Sequence, residues 1–178
     1  MRGFESVPDF LMMTPIQRYQ DDLARGVLLP DEAQARAIVH VQRVYDDVLA
    51  AERRARHDTW LGRVQSWSAR AGLTVGGAPG PVQGIYFYGG VGRGKTYIMD
   101  TLYECLPLQA KQRTHFHRFM QMVHGRLTAL KGQKNPLERV AADIADSARV
   151  LCFDEFFVSD IGDAMILGRL LEIGRAHV

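Results

Sequence analysis

The sequence predicts an α/β fold, a parallel sheet flanked by helices and preceded by an α-helical N-terminal segment. Three observations carry this expectation. Val82-Gln83-Gly84-Ile85-Tyr86-Phe87-Tyr88 is rich in β-branched and aromatic residues and reads as a strand. It runs into a glycine-rich octet and then into Thr96 to Leu106, where Ile98, Met99, Leu102 and Cys105 recur at helical spacing until Pro107. Farther along, Arg149-Val150-Leu151-Cys152-Phe153-Asp154-Glu155 sets four consecutive apolar residues before two carboxylates, the pattern of a parallel strand buried on both faces.

Residues 1–13 show no periodicity and read as an upstream extension. A helical N-terminal segment follows over 14–75. Thr14 is its natural first cap with Pro15 at the first helical position, and Ile16, Tyr19 and Leu23 line a helix that stops near Gly26. Asp31 caps a second helix in which Ile38, Val41, Tyr45 and Val48 recur three or four apart, with a charged opposite face. Residues 52–70 are arginine-rich (Arg53, Arg54, Arg56, Arg63, Arg70) around Trp60 and Trp67, and read as a solvated helix whose tryptophans dock on a neighbour. Gly76-Gly77-Ala78-Pro79-Gly80-Pro81 is a linker, and residues 82–172 form the nucleotide domain.

Within that domain Arg113-Thr114-His115-Phe116-His117 is the next expected strand. Its two histidines would share one face, but no third ligand with metal-like spacing accompanies them. Phe119, Met122, Val123, Leu127 and Leu130 mark a helix ended by Gly132. Asn135 is expected to cap another, with Pro136 first, Glu138 reaching back, and Leu137, Val140, Ala141 and Ile144 inward. After the acidic strand, Asp160 caps a last helix with Ile161, Ala164, Met165, Gly168 and Leu171 as its buried stripe.

The octet Gly89-Gly90-Val91-Gly92-Arg93-Gly94-Lys95-Thr96 matches G-x-x-x-x-G-K-[ST], a loop that wraps nucleotide phosphates. Glycines let the backbone turn tightly and bring N–H groups up to phosphate oxygens without a Cβ in the way. Lys95 supplies a charge for the β- and γ-phosphates, and Thr96 offers a hydroxyl to Mg²⁺. Asp154 lies 59 residues after Lys95 (154 − 95), at the C-terminal edge of its strand, where ligands of open α/β sheets bind. In that context Asp154 is the expected Mg²⁺ carboxylate and Glu155 the residue that polarises the attacking water. Strand, loop, helix and acidic strand together predict an ATPase.

Composition narrows the alternatives. The chain has 178 residues, 47% hydrophobic and 24% charged, as soluble globular proteins are. With 22 lysines and arginines against 20 aspartates and glutamates, the net charge of +2 makes no case for a nucleic-acid partner. No apolar run reaches membrane-span length, and the N-terminus lacks the apolar core of a signal peptide. Cys105 and Cys152 sit in apolar runs and read as buried reduced thiols, which fits the cytoplasm.

Three longer stretches carry a family resemblance: Tyr86 to Thr96, His115-Phe116-His117-Arg118-Phe119-Met120, and Leu151 to Ile161. The order of elements resembles the AAA+ branch of nucleotide hydrolases, and these stretches, within a match from about Thr14 to Leu171, resemble the ZapE family of cell-division ATPases, which includes the mitochondrial AFG1-like ATPases. The resemblance implies ATP hydrolysis with Mg²⁺ and a homo-oligomer. It also implies a bacterial cytoplasmic role at the division site on the tubulin-like FtsZ polymer or another protein client. A helicase-loader-type AAA+ protein gripping single-stranded nucleic acid through Arg53 to Arg70 is the rival reading, and salt-dependent binding to single-stranded DNA would favour it. A pseudo-enzyme is a third, opposed by the presence of Lys95, Thr96, Asp154 and Glu155.

The sequence also departs from that pattern. Nothing after the last helix supplies the sensor strand or the arginine finger that the family implies, and the sensor strand belongs between the first and the acidic strand. Ile173-Gly174-Arg175-Ala176-His177-Val178 reads as the translation of ATC GGA AGA GCA CAC GTC, the start of a short-read sequencing adapter, with a GAG codon at Glu172 supplying the preceding AG. The expectation is a gene cut near Leu171, with 173–178 excluded from functional reasoning and the chain alone poorly folded and weakly active.

Overall fold

The computed structural model describes residues 13–65, 82–90 and 92–176, with side chains described outside 56–65 and 174–176. Residues 1–12 of the upstream extension, Trp67, Arg70, the linker 76–81, Val91, and His177 and Val178 of the tail therefore lie outside the described residues. The chain divides into two compact units between Leu106 and Pro107.

The first unit is helical. Helix α1 (Pro15–Ala24) starts on Thr14, whose hydroxyl accepts from the Gln17 N–H while the Gln17 side chain accepts from the Thr14 N–H. Arg25 closes it and Gly26 leaves it with φ 70°, as expected. Helix α2 (Glu32–Gln65) starts on Asp31, which accepts the Gln34 N–H at 2.9 Å. It runs 34 residues, about 51 Å at 1.5 Å per residue, so residues 52–65 of the arginine-rich stretch continue it. Helix α3 (Lys95–Cys105) ends at Leu106 before Pro107. Tyr19, Ile38, Val41, Val44, Tyr45, Val48, Ile98, Leu102, Cys105 and Leu106 are buried among these helices. An ion pair between Arg18 and Glu104 joins α1 to α3.

One expected strand is absent. Residues 82–90 belong to no helix or strand, and Tyr86 and Tyr88 are 65% and 86% exposed, their rings stacked with centroids 6.4 Å apart. β-Propensity records how side chains pack against cross-strand neighbours, and no described strand lies alongside this segment. Its sequence therefore announces a strand that the fold does not form.

The second unit holds a two-stranded parallel sheet, β1 (Lys111–His115) beside β2 (Val150–Asp154), in the register Lys111↔Val150 through His115↔Asp154. Helices α4 (Phe116–Ala129) and α5 (Pro136–Ser147) lie between the strands in sequence, and α6 (Ile161–Ala176) follows them. The α/β expectation is met in this small form, a sheet with helices around it. Phe153 packs edge-on against Phe119 at 4.8 Å, and Phe156 against Phe116 at 4.8 Å. Phe116, Phe119, Met120, Val123, Val140, Ala141, Ile144, Leu167 and Leu170 form the core.

Four details differ from the sequence reading. First, β1 ends two residues earlier than expected, because the apolar stripe Phe116, Phe119, Met120 and Val123 begins the helix at Phe116. His117 is thus in the first turn of α4, and His115 and His117 do not share a strand face. Second, β2 is not buried on both faces: only Cys152 is buried, since one strand rather than two flanks it. Third, Asn135 caps nothing with its side chain. It takes a left-handed conformation (φ 52°) and donates Nδ2 to Glu138 at 2.7 Å, although Pro136 does open α5.

Fourth, α6 buries a different face. Leu167 and Leu170 are inside, with Ile166 and Ile173 packed against the core, while Ile161, Met165 and Leu171 are 80%, 72% and 44% exposed. Ala164 and Gly168 are also exposed. The helix is apolar around much of its circumference, so spacing alone does not choose a face; contact with α5 does. The cap is as expected, with Asp160 Oδ1 accepting from Gly162 at 2.7 Å and Asp163 at 3.2 Å.

Candidate nucleotide site

The expected site residues fall in both units. In the first unit, the loop depends on backbone angles that only glycine adopts cheaply: φ is 143° at Gly89, 78° at Gly92 and 77° at Gly94. Gly94 is the cap of α3 and makes no side-chain cap hydrogen bond, and Lys95 is the first helical residue. The first N–H groups of a helix have no internal acceptor, and the aligned peptide dipoles make that end positive. This is an anion-binding arrangement. Lys95 Nζ folds back over the loop, donating to Gly89 O at 2.8 Å and Gly90 O at 2.7 Å. Thr96 is exposed beside it.

Helix α2 supports the loop in a way that sequence reading missed. A Cβ placed on Gly94 would lie 2.7 Å from Gln34 Nε2, so the Gln34 amide presses directly on this glycine, and its Oε1 is buried without a hydrogen-bond partner. The Gln34 N–H holds the Asp31 carboxyl below its ordinary range, with the Arg93 charge adding to the effect. Arg43 Nη2 donates to Gln83 O at 3.2 Å, just upstream of the loop. No motif signals these contacts, because they depend on how α2 packs.

In the second unit, Asp154 ends β2 at its C-terminal edge and Glu155 follows with φ 52°. A left-handed conformation at a non-glycine residue costs about 1–3 kcal/mol and is characteristic of functional positions. The Glu155 carboxylate is 83% exposed, with Oε2 3.9 Å from His115 Nδ1. Arg113 Nη2 lies 3.2 Å from Asp154 Oδ2, and the Glu155 N–H donates to Asp154 Oδ1 at 3.2 Å. A cleft of ≈ 230 Å³ is lined here by Arg113, Thr114, His115, Arg118 and Asp154. Parallel pairing could have flagged Arg113, which stands two residues from His115, the partner of Asp154.

Each unit by itself offers an oxygen donor of the kind that Mg²⁺ takes. Asp154 and Thr96 offer hard oxygen donors, and among the described residues no three His, Cys, Asp or Glu side chains gather to cage an ion. Mg²⁺ ordinarily takes one or two protein oxygens and completes its shell with phosphate oxygens and water. The two cysteines are buried, as expected, and are not joined in a disulfide. No helix among the described residues is long and apolar enough to cross a membrane.

The model of the AFG1-like ATPase family matches residues 13–174. The chain belongs to this family. The match spans both the glycine-rich octet and the acidic strand end. Cell division protein ZapE of Escherichia coli is 44% identical over 162 residues, a match covering 90% of this chain and 42% of the relative. An uncharacterized protein of Schizosaccharomyces pombe is 34% identical over 184 residues, covering 89% and 40% respectively. Lactation elevated protein 1 homolog B of Danio rerio is 44% identical over 105 residues, covering 53% of this chain and 21% of its own. The chain thus spans less than half the length of these curated relatives. No solved structure matches it.

Proposed function

We propose that this chain carries the ATP-binding and part of the hydrolytic machinery of an AFG1-like ATPase. The observation that carries the reading is the start of α3: left-handed Gly94, no side-chain cap, and Lys95 as first residue. Gly89 to Gly94 and the first N–H groups of α3 cradle the phosphates, and Lys95 leaves the Gly89 and Gly90 carbonyls for the β- and γ-phosphate oxygens. Thr96 and Asp154 would be the residues to hold Mg²⁺, which would neutralise charge on the phosphates. Glu155 takes a proton from water as that water attacks the γ-phosphorus, and ADP leaves with the bridging oxygen. The products are ADP and inorganic phosphate.

For the whole protein we propose a cytoplasmic homo-oligomer that spends ATP on a protein client in cell division, the FtsZ polymer being the candidate. Support comes from the similarity to Escherichia coli ZapE, whose name states a cell-division role. Single-turnover hydrolysis of pre-bound ATP tests the catalytic assignment. Glu155→Gln is expected to bind ATP as the parent does and to hydrolyse it ~10²–10⁴-fold more slowly. Equal rates would remove Glu155 from the mechanism.

A further inference from the structure

We propose that the cleft at the end of β1 is an oxyanion site, built from Arg113, Thr114, His115 and Arg118, that takes inorganic phosphate. The choice of ligand rests on the reading of Glu155 as the residue that activates water, since hydrolysis there releases phosphate beside the cleft. The anion chemistry rests on the lining alone.

The ≈ 230 Å³ cleft is lined by Arg113, Thr114, His115, Arg118 and Asp154. Two guanidiniums bring five N–H donors each and accept nothing, and a hydroxyl and an imidazole can donate as well. The one carboxylate of the lining is already engaged at both oxygens, Oδ2 by Arg113 at 3.2 Å and Oδ1 by the Glu155 N–H at 3.2 Å. Donors thus outnumber acceptors, and a ligand made of acceptor oxygens matches that surplus. Strand register assembles the lining: Arg113 and His115, two apart on β1, and Asp154, paired with His115, stand on one face of the sheet. Glu155, whose carboxylate lies 3.9 Å from His115 Nδ1 and is 83% exposed, does not line the cleft.

Arg118 supplies the second observation. It stands in the first turn of α4, which has no acidic residue and no side-chain cap. A cation at that end meets the positive pole of the helix dipole, so the helix by itself disfavours it. Arg118 is exposed and makes no ion pair with a described acidic side chain. Its charge has no partner within the fold, and an anion in the cleft supplies one.

The test titrates the full chain with inorganic phosphate at constant ionic strength and follows backbone amide resonances. Thr114, His115 and Arg118 are expected to shift together along one saturable curve, and chloride at the same ionic strength to give none. Arg118→Gln should weaken phosphate binding about three- to tenfold, the range for charges a few ångströms apart at a water-exposed site. Arg118→Lys, which keeps the charge but not the planar fork, should lose less. Arg126→Gln, which removes a guanidinium from the last turn of the same helix, 3.8 Å from Asp143, should bind phosphate as the parent does. Lys95→Ala should leave the shifts in place, because no phosphate-loop residue lines the cleft. Shifts that do not saturate, their loss in Lys95→Ala, or equal affinities of the parent and Arg118→Gln overturn the proposal. Tighter binding of phenyl phosphate than of inorganic phosphate overturns the choice of ligand. None of these readouts uses ATP, so their failure is distinct from a failure of the Glu155 assignment, which single-turnover hydrolysis reports.

Discussion

The Tyr97 hydroxyl donates to Asp22 Oδ2 at 2.6 Å, joining the helix that starts with the phosphate-loop lysine to helix α1. Burial, reinforced by this hydrogen bond, pushes the Tyr97 phenol above its usual range. A raised pKa in the folded state means that the fold retains the proton after the unfolded chain has lost it. The contribution to stability is complete below about pH 10, where unfolded tyrosine titrates, and declines as pH rises beyond that. Tyr97→Phe should lose about 1–3 kcal/mol at pH 8, since it leaves a carboxylate without its donor. Denaturant unfolding of both proteins should show the gap narrowing above pH 10; a gap that widens there contradicts the assignment.

Gly94 is constrained twice, by φ 77° and by the Gln34 amide 2.7 Å from where a Cβ would sit. Gly94→Ala should weaken ATP binding at least about tenfold, from roughly 1–2 kcal/mol of backbone strain together with displacement of Gln34. Adding Gln34→Ala relieves the clash but not the φ penalty, so the double variant should recover only part of the loss. Fluorescent-nucleotide titration of the three proteins measures this, and full recovery would assign the whole effect to packing.

The face of α6 gives a stability test. Leu167→Ala and Leu170→Ala remove side chains only 6% and 3% exposed, and should each cost about 2–5 kcal/mol. Met165→Ala and Ile161→Ser, at exposed positions, should stay within about 0.5 kcal/mol. Urea midpoints of the four variants read the difference directly. The opposite ranking would restore the stripe expected from spacing.

What could be read from the sequence were the features fixed by local chemistry. Thr14 with Pro15, Asp31, Pro107, Gly132 and Pro136 each act on the backbone beside them, and the helix ends they mark lie within a residue or two of the observed ones. The octet Gly89 to Thr96 and the Asp154 strand end were legible for the same reason, since spacing within a short segment encodes both. Features that need a partner were not. Val82 to Tyr88 has strand composition without a strand neighbour among the described residues, α6 has apolar residues on several faces, and His117 belongs to a helix because Phe116 does. Gln34 against Gly94 and Arg113 against Asp154 arise from packing and register, which a linear pattern does not contain.

The central claim is that the loop at Gly89 to Thr96 binds nucleotide phosphates through Lys95. Calorimetric titration of the chain with Mg²⁺–ATP, beside Lys95→Ala, tests it most directly. The account predicts saturable one-site binding by the parent chain and a loss of at least about tenfold in affinity on removing the lysine charge. Equal affinities for the two proteins, or no saturable binding by a folded parent chain, would contradict it.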